Sequence, residues 1–400
     1  MPECGARRYS SEPAGPLPSA HPGARRAEGR PVTEAVLAVN AGSSSLKFGL
    51  YPRQGAALWT GQIEGLEAAG EAAFSAALQR LLHDCTQRGA RLLAVAHRIV
   101  HGGEAFIAPC RLDAAALQRL RALAPLAPLH QPHNLDGVAA FLQALPQLPQ
   151  VGCFDTAFHA TLPAVERALP TDRALAAQGL RRYGFHGLSY QYLAQTLPQH
   201  SARAGGRVLL AHLGNGASLC ALRGGRSVAT TMGFSALEGL MMGTRSGSLD
   251  PGVLLHLLRQ GWSADALEDL LYRRSGLKGV SGLSADMRTL RASTEPAAAE
   301  AIALFTHRCL REAGALAAVL GGLDAIAFTG GIGEHDAALR AELAAGLAHL
   351  GVRLDPSTNS AARGDRVAAI HAADSAVELW VVPTDEGRVA AQAAFSLLDA

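Results

Sequence analysis

Residues 208–252 read VLLAHLGNGASLCALRGGRSVATTMGFSALEGLMMGTRSGSLDPG. The run opens as a buried-type strand, Val208-Leu209-Leu210-Ala211, turns at Gly214-Asn215-Gly216 and leaves through a second apolar run, Ser218 to Leu222. Two short strands across a Gly-Asn-Gly turn predict a β-hairpin, whose tip offers backbone N–H groups that a phosphate can approach closely. Gly243-Thr244-Arg245-Ser246-Gly247 then sets one arginine among glycines and hydroxyls. A guanidinium fork in such a loop suits planar oxyanions, carboxylate or phosphate. Each piece alone also fits an ordinary turn or an exposed arginine; together they point to anion binding.

The same unit occurs nearer the N-terminus. Val36-Leu37-Ala38-Val39-Asn40-Ala41-Gly42 lies over Val208-Leu209-Leu210-Ala211-His212-Leu213-Gly214, and both turns lead into a further apolar strand, here Leu46 to Tyr51. An internal repeat of one supersecondary unit is the economical explanation, with chance similarity of two hairpins as the alternative. Two such halves facing each other would place two phosphate-type hairpins on opposite walls of one cleft.

Composition bounds the rest. Four hundred residues, 48% hydrophobic, suffice for two domains with sizeable cores. A net charge of +2 speaks against nucleic acid or an anionic membrane as partner. Lys47 and Lys278 are the only lysines, so the many arginines reflect compositional bias and a scattered one means little. Cysteines at 4, 85, 110, 153, 220 and 309 form no C-x-x-C pair, which argues against a zinc site or disulfide scaffold and favours a reducing, cytoplasmic setting. No apolar run approaches a membrane span. Residues 1–33, rich in Pro, Gly, Ser, Ala and Arg, are expected to be a disordered extension.

Along the chain, a helix is expected around Ala72 to Cys85, then a buried strand Arg91–Ala96 that empties into His97-Arg98-Ile99-Val100-His101-Gly102-Gly103-Glu104. Charged clusters at strand ends are where open α/β sheets hold ligands. Pro125 to Pro132 reads as a rigid loop with His130, and Val151–Asp155 as a strand ending in an acid. Beyond the central stretch Leu254–Leu271 looks helical and Lys278–Ser284 reads as a loop. Asp286, Met287 and Arg288 then open a helix, and a long helix covers Ala297–Leu320. The strand Asp324–Thr329 breaks into Gly330-Gly331-Ile332-Gly333-Glu334, a glycine turn at a helix start that reads as a phosphate or nucleotide seat. A last strand, Leu379–Pro383, is followed by Thr384-Asp385-Glu386 and a terminal helix.

The common nucleotide, hydrolase and zinc motifs are absent. Glycine turns after buried strands, arginines in ligand-type loops and acids at strand ends fit phosphoryl transfer, which demands positioning and charge neutralisation more than covalent chemistry. VNAGSSSLKF, HRIVHGGE, FDTAFH, YGFHG, HLGNGAS, MGFSALEGLMMGTRSG, FTGGIGE and PTDE occur in that order. With them the chain, from about residue 35 to its end, resembles the acetate kinase family of acid kinases, of the sugar kinase/Hsp70/actin superfamily. The resemblance implies an α/β fold of duplicated actin-like (ribonuclease H-like) ATPase domains with an interdomain nucleotide cleft. Residues 34–155 with 386–400 would form the N-terminal domain and residues 156–385 the C-terminal, nucleotide-binding one. It also implies a homodimer and direct in-line transfer from ATP to acetate, giving acetyl phosphate and ADP. Propionate is the alternative substrate. A non-catalytic nucleotide-binding protein of the same fold is a rival reading, and retention of Arg98, Asp155, His186, Arg245 and Glu386 speaks for the enzyme.

Carried over by motif, Arg98 and Arg245 would clamp the carboxylate and the moving phosphoryl group, His186 would donate to that group, and Asp155 would orient or activate the nucleophile. Asn40 and Glu386 would hold Mg²⁺, with Mn²⁺ a possible substitute. Lys47, Ser43, Ser45 and His212, with Gly214, Asn215 and Gly216, would bind the nucleotide, largely along its phosphates. Asp286, Met287 and Arg288, with Gly331 and Ile332, would border the adenosine. Val100, Leu129, Phe185 and Ala236 would wall the pocket for the acid's methyl group. Three departures from the family pattern stand out. His335 replaces the usual Asn after G-I-G-E. D-T-S-M reads Ala229-Thr230-Thr231-Met232, and the acid of R-S-G-D is Ser248. T-P-L-E-G reads Ser235-Ala236-Leu237-Glu238-Gly239.

Overall fold

The computed structural model describes residues 32–42, 45–65 and 70–400, so nearly all of the expected N-terminal extension lies outside the described residues. They fall into two compact units: one runs to Ala157 and resumes over Glu386–Ala400, the other is Phe158–Asp385. The first strand begins at Thr33, whose N–H donates to the Gly89 carbonyl at 2.8 Å, so Thr33 belongs to the sheet and not to an extension.

Among the described residues twelve strands form two sheets. The first unit holds β1 (Thr33–Ala41), β2 (Ser45–Pro52), β3 (Trp59–Glu64), β4 (Ala90–Ile99), β5 (Cys110–Arg111) and β6 (Gln150–Phe154). The second holds β7 (Arg207–Leu213), β8 (Ala217–Arg223), β9 (Arg226–Thr230), β10 (Ala325–Thr329), β11 (Ala368–Ala369) and β12 (Glu378–Val381). Their orders are β3-β2-β1-β4-β6-β5 and β11-β12-β10-β7-β8-β9, the second being the first read backwards with every strand replaced by its counterpart. Polarity agrees pair by pair. An antiparallel meander β1-β2-β3 or β7-β8-β9 joins two parallel neighbours, and a short antiparallel strand closes the far edge. The repeat expected from the two hairpins is therefore a duplication of whole units.

The central parallel strands read as unbroken apolar runs because helices cover both their faces. In the first unit Leu37, Val39, Leu50 and Val95 pack with Leu78, Leu81 and Phe141. In the second, Leu210, Cys220 and Ala327 pack with Tyr190, Leu193 and Val382. Among the described residues no helix is long and apolar enough to cross a membrane.

Three local expectations need refining or correcting. The stretch Leu254–Leu271 is two helices, Pro251–Arg259 and Ala264–Arg273. The apolar period runs across the junction, but Gly261 takes φ +92° and Ser263 caps the second helix by accepting from Ala266 N–H. Lys278 lies in a helix, Gly276–Ser281, ended by the left-handed Gly282. Pro125–Pro132 is not a plain loop: Ala124–Leu126 is a 3₁₀ turn, and a helix starts at Gln131 with Pro132 in its first turn, where a proline's missing N–H costs nothing.

Among the described residues three imidazoles are buried: His97 beside Gln150, His101, and His159. Burial pushes each down to about 4 from an ordinary 6.5, so all three are neutral in the folded state at neutral pH. In the unfolded chain they take up protons below about 6.5. Their stability contribution is thus complete above that pH and is lost as pH falls through about 4. Each ring is expected to cost about 2 kcal/mol between neutrality and about pH 5, read as a fall in urea midpoint. His97→Gln should flatten that dependence; an unchanged slope in the variant would show that His97 does not contribute to it.

Candidate active site

In the first unit β1 and β4 run parallel, with Val39 beside His97, so Asn40 and Arg98 leave the sheet at the same edge. Arg98 donates from Nε to Asp155 Oδ1 at 3.0 Å and from Nη2 to Oδ2 at 2.6 Å. Asp155, 1% exposed, directly follows β6, and its own N–H reaches the Ile99 carbonyl. Glu386, the first residue of the last helix, brings Oε2 to 3.4 Å from Arg98 Nε. Burial works against the Arg98 charge, but the Asp155 and Glu386 carboxylates outweigh it and hold the guanidinium protonated. A cavity of about 170 Å³ is lined by Asn40, Lys47, Arg98 and Glu386, with Tyr51 and Gly387. Buried Val100 donates its N–H to Asn134 Oδ1, and Asn134 in turn binds the Ala41 carbonyl, so the loop after β4 is tied to the first hairpin. Leu129 is half-buried just before the helix at Gln131, and Ser45 opens β2. Ser43 lies outside the described residues.

In the second unit β7, the turn and β8 form the expected hairpin. One tip amide is not available to a ligand: Gly214 N–H closes the turn on the Gly216 carbonyl at 3.0 Å. The Asn215 carbonyl accepts from Gly243 N–H at 2.9 Å, which draws the arginine loop to the hairpin tip. That loop is held from its other side by backbone bonds: Leu277 N–H to the Met242 carbonyl, Lys278 N–H to Gly243, Ser275 N–H to Thr244 and Ser246 N–H to Leu271. Gly276, at φ +65°, passes so close that a Cβ there would lie 2.2 Å from the Met242 carbonyl oxygen. Arg245 itself donates from Nη1 to the Ala236 carbonyl at 3.0 Å.

His186 stands beside it. The ring stacks on His212, centroids 4.2 Å apart, and its Nδ1 is 2.8 Å from Ser218 Oγ, which also meets Tyr190 OH at 2.5 Å. Burial holds the Tyr190 phenol well above its ordinary range, so it remains a neutral hydroxyl. His212 Nδ1 is 2.8 Å from Ser189 Oγ. His186 and Arg245 converge on Gly216: a Cβ there would lie 3.2 Å from His186 Nε2, a tight contact, and 4.0 Å from Arg245 Nη1.

A larger cavity, about 870 Å³, joins Gly214 and Asn215 to Asp286, Met287, Arg288, Gly331 and Ile332. Its size suits a cofactor-sized ligand. Asp286 caps the helix Met287–Arg291, and hydrogen bonds from the Arg288 side chain and backbone pull its carboxyl below the usual range. The first turn after β10 is not the vacant anion seat the glycines suggested. Gly330 N–H donates to Glu334 Oε1 at 2.9 Å, and Thr329 Oγ1 and Thr384 N–H bind the same oxygen. The cavity also contains residues that motif reading did not single out, Arg291 and Asp336, paired at 3.1 Å. His335 lines it too and packs against Gly364. Ser218 and Tyr190 were missed as well. Both sit within quoted or adjacent motifs, but only β8 pleating shows that Ser218 shares a face with His186.

Paired copies of one six-stranded α/β unit, with glycine hairpins and strand-end charges, constitute the duplicated actin-like ATPase fold. Within that class, a profile of the acetokinase family matches residues 62–392, and the chain belongs to that family. It is 48% identical over 397 residues to an acetate kinase of Rhodopseudomonas palustris, covering 92% of this chain and 99% of that protein. It is 43% identical to an acetate kinase of Rhizobium meliloti, with coverage of 92% and 99%. The crystal structure of Porphyromonas gingivalis acetate kinase superposes with a TM-score of 0.84 at 33% identity, covering 92% of this chain and 100% of that one. A propionate kinase from Francisella tularensis gives 0.84 at 33% identity, with 90% and 99% covered.

The Arg98–Asp155 pair makes a prediction independent of any reaction. Truncating one partner of a buried ion pair leaves the other charge uncompensated. Arg98 is part-exposed and keeps Glu386, so Asp155→Ala is expected to cost about 2–3 kcal/mol by urea denaturation, below the fully buried range. A loss under about 1 kcal/mol would mean that Asp155 does not compensate Arg98.

Proposed function

We propose that this chain catalyses reversible phosphoryl transfer between ATP and acetate, giving acetyl phosphate and ADP. The observation that carries the reading is the joint approach of His186 Nε2 and Arg245 Nη1 to the space over Gly216, at the end of a hairpin that also borders the large cavity. In the forward direction an acetate oxygen forms the new bond to the γ-phosphorus. The bond from that phosphorus to the bridging oxygen breaks, and its electron pair leaves with ADP. Acetate is already ionised near neutrality, so no base is needed to activate it.

The residues then divide the work. Arg245 faces the charge that spreads over the transferring oxygens, and His186 donates a hydrogen bond from Nε2, its Nδ1 accepting from Ser218. The Asp155 carboxylate occupies the Nε/Nη2 edge of Arg98 and so fixes the plane of the guanidinium; Nη1 remains for the acetate carboxylate. Gly214, Asn215, Asp286, Met287, Arg288, Gly331 and Ile332 take the nucleotide. Asn40 and Glu386 fit Mg²⁺ as a partial set, one amide and one carboxylate oxygen at one small cavity, which nucleotide phosphate and water would complete. When bound, the ion supplies charge neutralisation on the phosphates.

A homodimer belongs to the same reading. The helix Pro251–Arg259 buries none of its residues and leaves Val253, Leu255 and Leu258 exposed by 40%, 52% and 46%, an apolar side that a second copy would cover. The free cysteines Cys85, Cys110, Cys153, Cys220 and Cys309 favour the cytoplasm as the working compartment.

A hydroxylamine trap for acyl phosphate, run with ATP and acetate, tests the activity. Arg245→Ala should lower kcat by roughly 10³-fold or more, and Arg245→Lys should recover little, because an ammonium cannot reproduce the fork. No acyl phosphate from the wild-type protein would favour a nucleotide-binding protein without catalysis, and near-normal turnover in the lysine variant would remove the clamp.

Substrate size gives a second test. Ala236 stands where the family has proline, and its carbonyl is bound by Arg245. A methyl in place of a proline ring leaves space of about one methylene, worth roughly 10–200-fold in selectivity. Propionate should be used within about tenfold of acetate, as the similarity to a propionate kinase also suggests. Ala236→Pro should shift kcat/KM towards acetate; identical ratios in the two proteins would exclude Ala236 as the determinant.

A further inference from the structure

His186 has φ 59° and ψ 25°, the one non-glycine residue with positive φ among the described residues. Side chains seldom adopt that conformation, and it persists only where the surroundings over-determine it. The restraints are identifiable. Tyr183 and Gly184 donate their N–H groups to the Gly233 carbonyl at 2.9 and 3.2 Å, and the His186 carbonyl accepts from Tyr190 N–H at 3.0 Å as the next helix begins. The peptide between them is held by its Phe185 carbonyl, 2.9 Å from His159 Nε2.

His159 comes from the FDTAFH motif and is 2% exposed. A carbonyl can only accept, so Nε2 carries the proton and Nδ1 takes the hydroxyl hydrogen of Ser227 at 2.8 Å. Both ring nitrogens are thereby satisfied in one tautomer. The ring edge also abuts Gly184, where a Cβ would come within 2.6 Å of His159 Cδ2. Burial, which depresses its proton affinity, agrees with a neutral ring. Nothing in this geometry touches the space over Gly216; the ring acts on the backbone from which His186 reaches it.

We propose that His159 is a positioning residue for phosphoryl transfer: its Nε2–H fixes the Phe185 carbonyl and thereby the left-handed peptide that aims His186 at Gly216 and Arg245. This rests on the reading of His186 as donor to the transferring group.

The test compares two amides. His159→Gln places an N–H near the position of Nε2 and can keep the Phe185 bond; His159→Asn can keep Ser227 but is too short to reach Phe185. In the acyl phosphate assay Gln is expected to stay within about threefold of wild-type kcat. Asn should lose roughly 30-fold or more, with KM for ATP and acetate within about twofold. Placed in a His186→Ala background, His159→Asn should change kcat less than about twofold, since it has nothing left to aim. If His186→Ala is inactive but Asn keeps wild-type kcat, or loses as much in the His186→Ala background as alone, the positioning role is overturned and the donor reading stands. If His186→Ala keeps full turnover, both fall. Should His159→Asn fail to fold, Ser227→Ala removes the hydrogen bond that fixes the tautomer and is expected to lower kcat several-fold. Unchanged kcat there overturns the proposal.

Discussion

One backbone hydrogen bond organises the second unit: Gly243 N–H to the Asn215 carbonyl, 2.9 Å. It joins the arginine loop to the tip of the β7–β8 hairpin, and the approach is close: a Cβ at 243 would lie 3.3 Å from the Asn215 carbonyl oxygen and would displace the Asn215 side chain. Several of the unit's candidate site residues are grouped around that junction. Arg245 follows two residues on, His186 faces the same tip, and Gly214 and Asn215 open onto the large cavity. The helix Gly276–Ser281 braces the loop from behind through main-chain bonds. The loop is thus fixed through its backbone, and the guanidinium adds a hydrogen bond from Nη1 to the Ala236 carbonyl.

The first unit uses the same strand order for different chemistry. Arg98 is the last residue but one of β4 and Asp155 directly follows β6, whereas the corresponding ends of β10 and β12 lead into Gly330-Gly331 and Thr384. Duplication supplies two equivalent sheet edges where ligands can be held, and substitution at those edges separates an arginine–carboxylate pair from a glycine-lined turn beside a cavity. Asn40 and His212 occupy matching positions one residue before the end of β1 and β7, and they show the same divergence on a common backbone.

The parts visible in the sequence were those encoded locally. Central strands announced themselves as apolar runs bounded by glycine, and the two hairpins were legible from their turns. Features determined by distant partners were not. Gly276–Ser281 looks like a loop because its helix is secured by contacts with residues 242–244, not by capping or amphipathic period. The glycine turn at Gly330 looked like an open anion seat because the carboxylate that fills it, Glu334, is also part of the motif. His159 read as one more motif histidine; its meaning depends on Phe185 and Ser227, the latter 68 residues away.

Two of the three departures from the family pattern, those at Ala229–Ser248 and at Ala236, become intelligible in the same terms. Ser248, where an acid is usual, still presents an oxygen: its Oγ accepts from Gly239 N–H at 3.1 Å, while its own N–H reaches the Gly239 carbonyl. Thr230 and Thr231 retain hydroxyls that donate to the Leu219 carbonyl and accept from Leu219 N–H, both at 3.0 Å, so β8 and the strand beyond it stay joined without the aspartate. Ala236 keeps the carbonyl that Arg245 binds, an atom any residue supplies. In each case the retained function is a main-chain or hydroxyl oxygen, and what is lost is charge or ring volume. A position that only offers an acceptor to the backbone can therefore vary in side chain, whereas the Arg98–Asp155 pair depends on two opposite charges and the His186–Ser218 bond on a ring nitrogen, which few other residues supply.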